Sequence, residues 1–194
     1  MKVCDTLTTT PGPLLNYVDS DVMAFRPFTG LFCLPDPATR MLLMRDVQEA
    51  VSVKWHHALL GRGVPLPARA NAGILCHEVA AFDWDFAEWF AGQKHLMKMV
   101  YWSEQTFWAA LGQRIGVRYW DPSQVLMVSA GQLPDAQTVL GHFAGDGRRF
   151  LDQYSKAPAD AGLKAPERIG TIVPEPCTAG KLFRTYLKNK FRAG

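Results

Sequence analysis

The sequence is poor in cysteine, has no long apolar run, and carries no net positive charge outside its final segment. Its 194 residues hold four cysteines, Cys4, Cys33, Cys76 and Cys177. They are too few and too scattered for a disulfide framework, and none has the C-x-x-C spacing of zinc ribbons or redox motifs. They read as buried or free thiols in a reducing compartment. No window approaches the roughly 18 consecutive apolar residues of a membrane span. The opening MKVCDTLTTT also lacks the apolar stretch of a secretory signal, so a cytoplasmic protein is expected. Repeats and low-complexity tracts are absent. His77-Glu78 has Ala81 where a zinc-protease helix needs its second histidine, which excludes that chemistry.

The net charge of +3 is unevenly spread. The last fourteen residues, KLFRTYLKNKFRAG, carry Lys181, Arg184, Lys188, Lys190 and Arg192 and no acid, so the other 180 residues are at net −2. A general nucleic-acid-binding face is therefore not expected. With 48% hydrophobic and 20% charged residues the composition is that of an ordinary folded chain, long enough for one domain with a real core.

Strand-like and helix-like segments alternate, which predicts an α/β fold. Leu14 to Val18 is an extended apolar run after Pro11-Gly12-Pro13, and it ends in Asp19-Ser20-Asp21. Extended segments are also expected at Gly30 to Leu34, Met41 to Met44, Asn71 to Cys76, Val125 to Val128 and Thr138 to Phe143. Gln48 to Leu60 reads as helical, weakened by Val51 and Val53. A helix capped by Asp83 or Asp85 runs on through Phe86, Trp89, Phe90, Leu96, Met97 and Val100; another starts near Ser103 and ends before Gly116, and a short one surrounds Phe150 to Tyr154. Three units follow: a main region at 1–156, a Pro/Gly/Ala-rich linker at 157–180, and a basic amphipathic tail at 181–194 with Phe183, Leu187 and Phe191 on one stripe.

The chemistry centres on Asp19 and Asp21. Two carboxylates in a D-x-D just after a buried strand can converge on one divalent cation, with phosphate oxygens filling its other positions; Mg²⁺ or Mn²⁺ prefers such oxygen ligands. His142, on an otherwise apolar strand, reads as a core histidine or as a further ligand. Ser103-Glu104-Gln105 reads as a helix start or as part of a site, and Asn71-Ala72-Gly73 as a turn or as part of one.

Taken in order, YVDSDV at 17–22, NAG at 71–73, SEQTFW at 103–108 and HFAGDGRR at 142–149 resemble the glycosyltransferases of GT-A fold, in particular the family 8 type. The resemblance covers about Leu14 to Arg149. It implies a mixed sheet flanked by helices, and a sugar moved from a nucleotide-diphosphate-sugar donor, a UDP-sugar, to a glycan, lipid-linked or protein hydroxyl, with retention. It implies Asp19, Asp21 and His142 as metal ligands. Asp19, Asn71, Gly73, Gly145, Arg148 and Arg149 would contact the donor, with Glu104 and Gln105 near the reacting carbon and the acceptor. Only eighteen residues precede Asp19, so the resemblance implies a domain without the nucleotide-binding half expected before it. A partner-dependent or non-catalytic remnant is the alternative, with homo-oligomerisation expected, and the basic tail suits peripheral contact with a membrane surface. A second alternative is a haloacid-dehalogenase-type phosphatase, which shares the early D-x-D and the Gly145-Asp146-Gly147 loop. Against it, Met23 replaces the usual Thr or Val and no lysine lies between Ser129 and Asp146.

Overall fold

The computed structural model describes residues 12–97, 100–155, 166 and 168–192. In chain order the elements are β1 (Leu14–Val18), β2 (Val22–Ala24), β3 (Met41–Arg45), α1 (Trp55–Leu59), β4 (Ala70–Glu78), α2 (Trp84–Ala91), α3 (Lys94–Met97), α4 (Val100–Ile115), β5 (Val117–Trp120), β6 (Val125–Met127), β7 (Leu140–His142), α5 (Leu151–Ser155), β8 (Thr171–Ile172) and α6 (Ala179–Arg192). Short 3-10 turns lie at Val79–Ala81 and Gly145–Phe150. The fold is mixed α/β, as the alternation of segments predicts.

Two sheets share the chain. The larger has the order β1-β4-β3-β5-β8, and only its β3–β5 pair is parallel. The smaller has the order β2-β7-β6, with β2–β7 antiparallel and β6–β7 parallel. Strand β3, MLLMR, shows why its sequence is an unbroken apolar run. Side chains alternate across a strand, so Met41 and Leu43 enter one core while Leu42 and Met44 enter another. The first core is roofed by α2 and α4, whose Phe86, Phe90, Phe107, Trp108 and Leu111 pack on the sheet. The second holds Ile74, Cys76 and Trp120 against Val125, Val139 and Leu140 near the smaller sheet. Each such side chain, fully buried, contributes about 1.5–3 kcal/mol of hydrophobic stabilisation.

Several local expectations are redrawn. Gly30 to Leu34 forms no strand; Leu31 is buried, and its carbonyl accepts from the Trp120 indole at 3.0 Å. Of Gln48 to Leu60 only α1 is helical. The residues before it run irregularly against α4, where the Ser52 N–H and hydroxyl both donate to Thr106 Oγ1, at 2.8 and 3.0 Å. Buried Val51 and Val53, β-branched, favour that course. Asp83 caps α2 by accepting from the Phe86 N–H at 2.8 Å, but the helix ends at Gly92 and α3 follows as a separate turn. Ser103 lies inside α4, donating to the Leu96 carbonyl, and is not its cap. Helix α4 stops at Gly116, whose φ of +104° suits glycine and where a Cβ would strike the Ala38 carbonyl.

The segment 157–180 is read from sequence as a linker, and much of its first half lies outside the described residues. Its described second half is structured: β8 pairs with β5, and Ala68 N–H donates to the Glu175 carbonyl at 2.7 Å while Cys177 N–H donates to that of Leu66 at 2.8 Å. Those bonds carry the chain to α6, which docks with Leu182 in the core and the Phe183 ring 5.0 Å from that of Trp55. Burial pushes the Cys76 and Cys177 thiols up to about 12, so both are unreactive at neutral pH.

His77 lies on β4 between Phe82 and Trp108, fully buried, and neither ring nitrogen makes a hydrogen bond among the described residues. Burial pushes its pKa down to about 4. The unfolded chain protonates near 6.5 and the folded one does not, so this contribution is present above pH 6.5 and is lost as pH falls toward 4. Between pH 7.5 and 4.5 the native protein is expected to lose roughly 2.5 kcal/mol more stability in urea melts than His77→Leu, which has no group to protonate there. Equal losses would show that His77 does not govern the acid limb.

Candidate functional site

The D-x-D turn is the corner at which the chain leaves the larger sheet and enters the smaller one. Asp19 follows β1 and Asp21 precedes β2, and the turn is clamped from both sides. Asp19 N–H donates to the Gly73 carbonyl of β4 at 2.7 Å, and Phe143 N–H, just after β7, donates to the Asp21 carbonyl at 2.9 Å. The register that pairs Val22 with His142 sets the imidazole beside the turn.

Asp19, Asp21 and His142 offer ligand atoms that all lie within 4.8 Å of one another. His142 Nε2 is 3.1 Å from Asp21 Oδ1 and 3.6 Å from Asp19 Oδ2. The other oxygen of each carboxylate is held from behind. The Tyr17 hydroxyl donates to Asp19 Oδ1 at 2.6 Å, and the Arg148 guanidinium donates to Asp21 Oδ2 at 2.9 and 3.1 Å. Burial acts to raise the Asp21 carboxyl, but the Arg148 bonds, with the charges of His142 and Arg148, outweigh it and hold Asp21 below the usual carboxylate value. Two carboxylates and one imidazole are donors that a divalent cation can take. The aim of the set is fixed before any ion arrives.

Gly73 makes the arrangement possible. A Cβ there would lie 2.8 Å from His142 Nε2 and closer still to Cε1 and Nδ1. The space that a Cβ would take is filled by the imidazole, which is only 3% exposed, while Gly73 itself lines the cleft. Asn71 is likewise turned inward: its Nδ2 donates to Asp46 Oδ2 at 2.8 Å, and its Oδ1 accepts from the Gly73 N–H at 2.8 Å. Asn71 thus braces the strand behind His142 and holds a carboxylate that sequence reasoning passed over. Asp46 ends β3 as Asp19 ends β1, an acid just past a buried strand, and that parallel was a usable signal. Burial raises the Asp46 carboxyl above its usual value, against the Asn71 hydrogen bond and those from the backbone.

These residues border a cleft of about 1670 Å³. Glu104, Gln105, Gly145 and Arg148 also line it, so four motifs far apart in sequence meet around one space. Gln105 is fixed there by its amide, which donates to the Ala50 carbonyl at 2.6 Å. Arg149 is placed otherwise, its guanidinium 4.8 Å over the Phe150 ring. Tyr17 was also missed; its alternation with Asp19 along one strand face was the available clue. The polar face of α6, which the tail's composition alone did not direct anywhere, borders the cleft through Lys181, Arg184 and Lys188.

No family model matches this chain, and no curated protein matches it. It is similar to a solved structure described as the crystal structure of a glycosyltransferase involved in the glycosylation of the major capsid of PBCV-1. The identity is 16%, over 79% of this chain and 69% of that one, with a TM-score of 0.48. Among the described residues, no helix is long and apolar enough to cross a membrane.

Gly73→Ala is expected to cost roughly 1–3 kcal/mol by overpacking against the imidazole, and less than half as much in a His142→Ala background. A double-mutant cycle of urea midpoints reads the coupling. Equal costs in the two backgrounds would mean that the close approach does not constrain residue 73.

Proposed function

We propose that this chain is a metal-dependent glycosyltransferase of GT-A, family 8-like type, moving a sugar from a nucleotide-diphosphate-sugar donor to a hydroxyl acceptor. The observation that carries it is the convergence of Asp19, Asp21 and His142, each carboxylate with one oxygen on the cluster and the other restrained, at the edge of a cleft bordered by the remaining motifs. Asp19, Asp21 and His142 would hold Mn²⁺ or Mg²⁺. When bound, such an ion offsets the charge that builds on a departing diphosphate.

The protein's own groups do the rest. Arg148, paired with Asp21 and 67% exposed, would be the cation that meets the leaving group, by exchanging its carboxylate partner for a phosphate oxygen. Glu104 orients the acceptor hydroxyl or takes its proton, and Gln105, anchored on Ala50, lies beside the reacting carbon. Gly73 and Asn71 act through His142 and Asp46. UDP is the nucleotide we favour, with retention of configuration, and the functional unit extends past residue 156 because α6 borders the cleft.

Mn²⁺ with UDP is expected to raise the melting temperature by roughly 5 °C or more when UDP is near 100-fold over its Kd. Asp21→Asn removes the shift. A wild-type protein whose melting does not respond to the pair refutes donor binding. Hydrolysis of a generic phosphomonoester, lost in Asp19→Asn, would favour the phosphatase reading instead.

A further inference from the structure

Helix α6 carries cations that the site above does not use. Lys181, Arg184 and Lys188 recur at spacings of three and four, which sets them on one helical face, and all three line the cleft. Leu182, buried in the core, and Phe183, half-exposed with its ring against Trp55, anchor the helix and hold that face in place. Arg45, at the end of β3, and Arg69, just before β4, line the same space.

Arg69 has a φ of +58°, the left-handed region, which costs a residue with a Cβ about 1 kcal/mol or more. Two hydrogen bonds impose it. Its N–H donates to the buried Glu49 carboxylate at 2.7 Å, and its carbonyl accepts from the Asp46 N–H at 2.6 Å. Strain of this kind persists where surrounding structure over-determines the backbone, and here it presents a guanidinium to the cleft. Among the described residues, no hydrogen bond or ion pair engages the side chains of Arg45, Arg69, Arg184 or Lys188. The acid beside them, Glu175, already accepts from Lys181 Nζ at 2.6 Å. Lys181 first, then Arg45 and Arg69, hold Glu175 below its usual value, and Arg184 and Lys188 share the cleft lining with all of them.

We propose that Arg45, Arg69, Arg184 and Lys188 form a second anion site, which takes a phosphate or diphosphate group carried by the acceptor. Cations that share one cleft without hydrogen-bonded partners repel one another, and a phosphate dianion offsets them, accepting bidentate hydrogen bonds from guanidinium groups. The site shares no residue with the Asp19, Asp21 and His142 cluster, where Arg148 supplies the cation. The word acceptor rests on the transferase reading, whereas the anion site itself does not.

Inorganic pyrophosphate, titrated by calorimetry in EDTA, is the probe. It is expected to bind the wild type, to bind Arg184→Gln/Lys188→Gln at least tenfold more weakly, and to bind Asp21→Asn no more weakly than the wild type. The double variant keeps the melting shift with Mn²⁺ and UDP. Equal pyrophosphate affinity in the double variant and the wild type overturns the proposal, as does an affinity that falls in Asp21→Asn. If the wild type lacks the Mn²⁺ and UDP shift while the pyrophosphate pattern holds, the transferase reading falls and the anion site stands. Sedimentation with phosphatidylcholine vesicles, with and without phosphatidic acid, separates the sources. Capture that needs phosphatidic acid, Arg184 and Lys188 supports a lipid-borne phosphate; pyrophosphate binding without capture supports a soluble one.

Discussion

His142 reaches the carboxylates of Asp19 and Asp21 only because residue 73 has no side chain, and the geometry of the site follows from that contact. The imidazole fills the place of a missing Cβ, which brings β4 of one sheet against β7 of the other. The D-x-D turn is stretched between those same strands, its backbone bonded to Gly73 on one side and Phe143 on the other. Asn71 then serves two ends of one arrangement, steadying the Gly73 backbone and pinning Asp46. A larger residue at 73 would separate the sheets and disperse the cluster.

The chemistry depends on how each charged group is constrained. Both carboxylates spend one oxygen on a neighbour, Tyr17 or Arg148, and turn the other toward His142. Fixing their orientation beforehand removes entropy that binding would otherwise have to overcome. Arg148 keeps Asp21 ionised in a partly buried place, where a lone carboxyl would drift upward in pKa. On the α6 side of the cleft cations are held in position, one of them at the cost of a strained backbone, and Glu175 there already accepts from Lys181.

Much of this was legible in the letters. The strands β1, β3 and β4 and the helix α4 follow from apolar runs, turn residues and periodicity, since local sequence states these directly. The prediction failed where backbone groups found partners far away in sequence. Residues 48–53 avoid a helix because Thr106 and Gln105 satisfy their backbone, and Gly30 to Leu34 forgoes a strand because Leu31 is buried by its own side chain and bonded by Trp120. The crossing before α6 reads as a linker by composition, yet β8 is held by β5 and residues 175 and 177 by the chain before β4.

The sequence alone determined which residues have the chemistry for a site, because D-x-D, Glu104-Gln105, His142 and Arg148 are matters of residue type and order. It also determined the α/β class, because alternation of periodicities is local. Only the tertiary structure decided what those residues face. Asn71 and Gly73 turn inward to Asp46 and His142, Arg149 goes to Phe150, and the basic tail borders the cleft. The reason is physical: a side chain's type is fixed by the gene, but its direction is settled by competition for buried space and hydrogen-bond partners, and those partners lie tens of residues away along the chain.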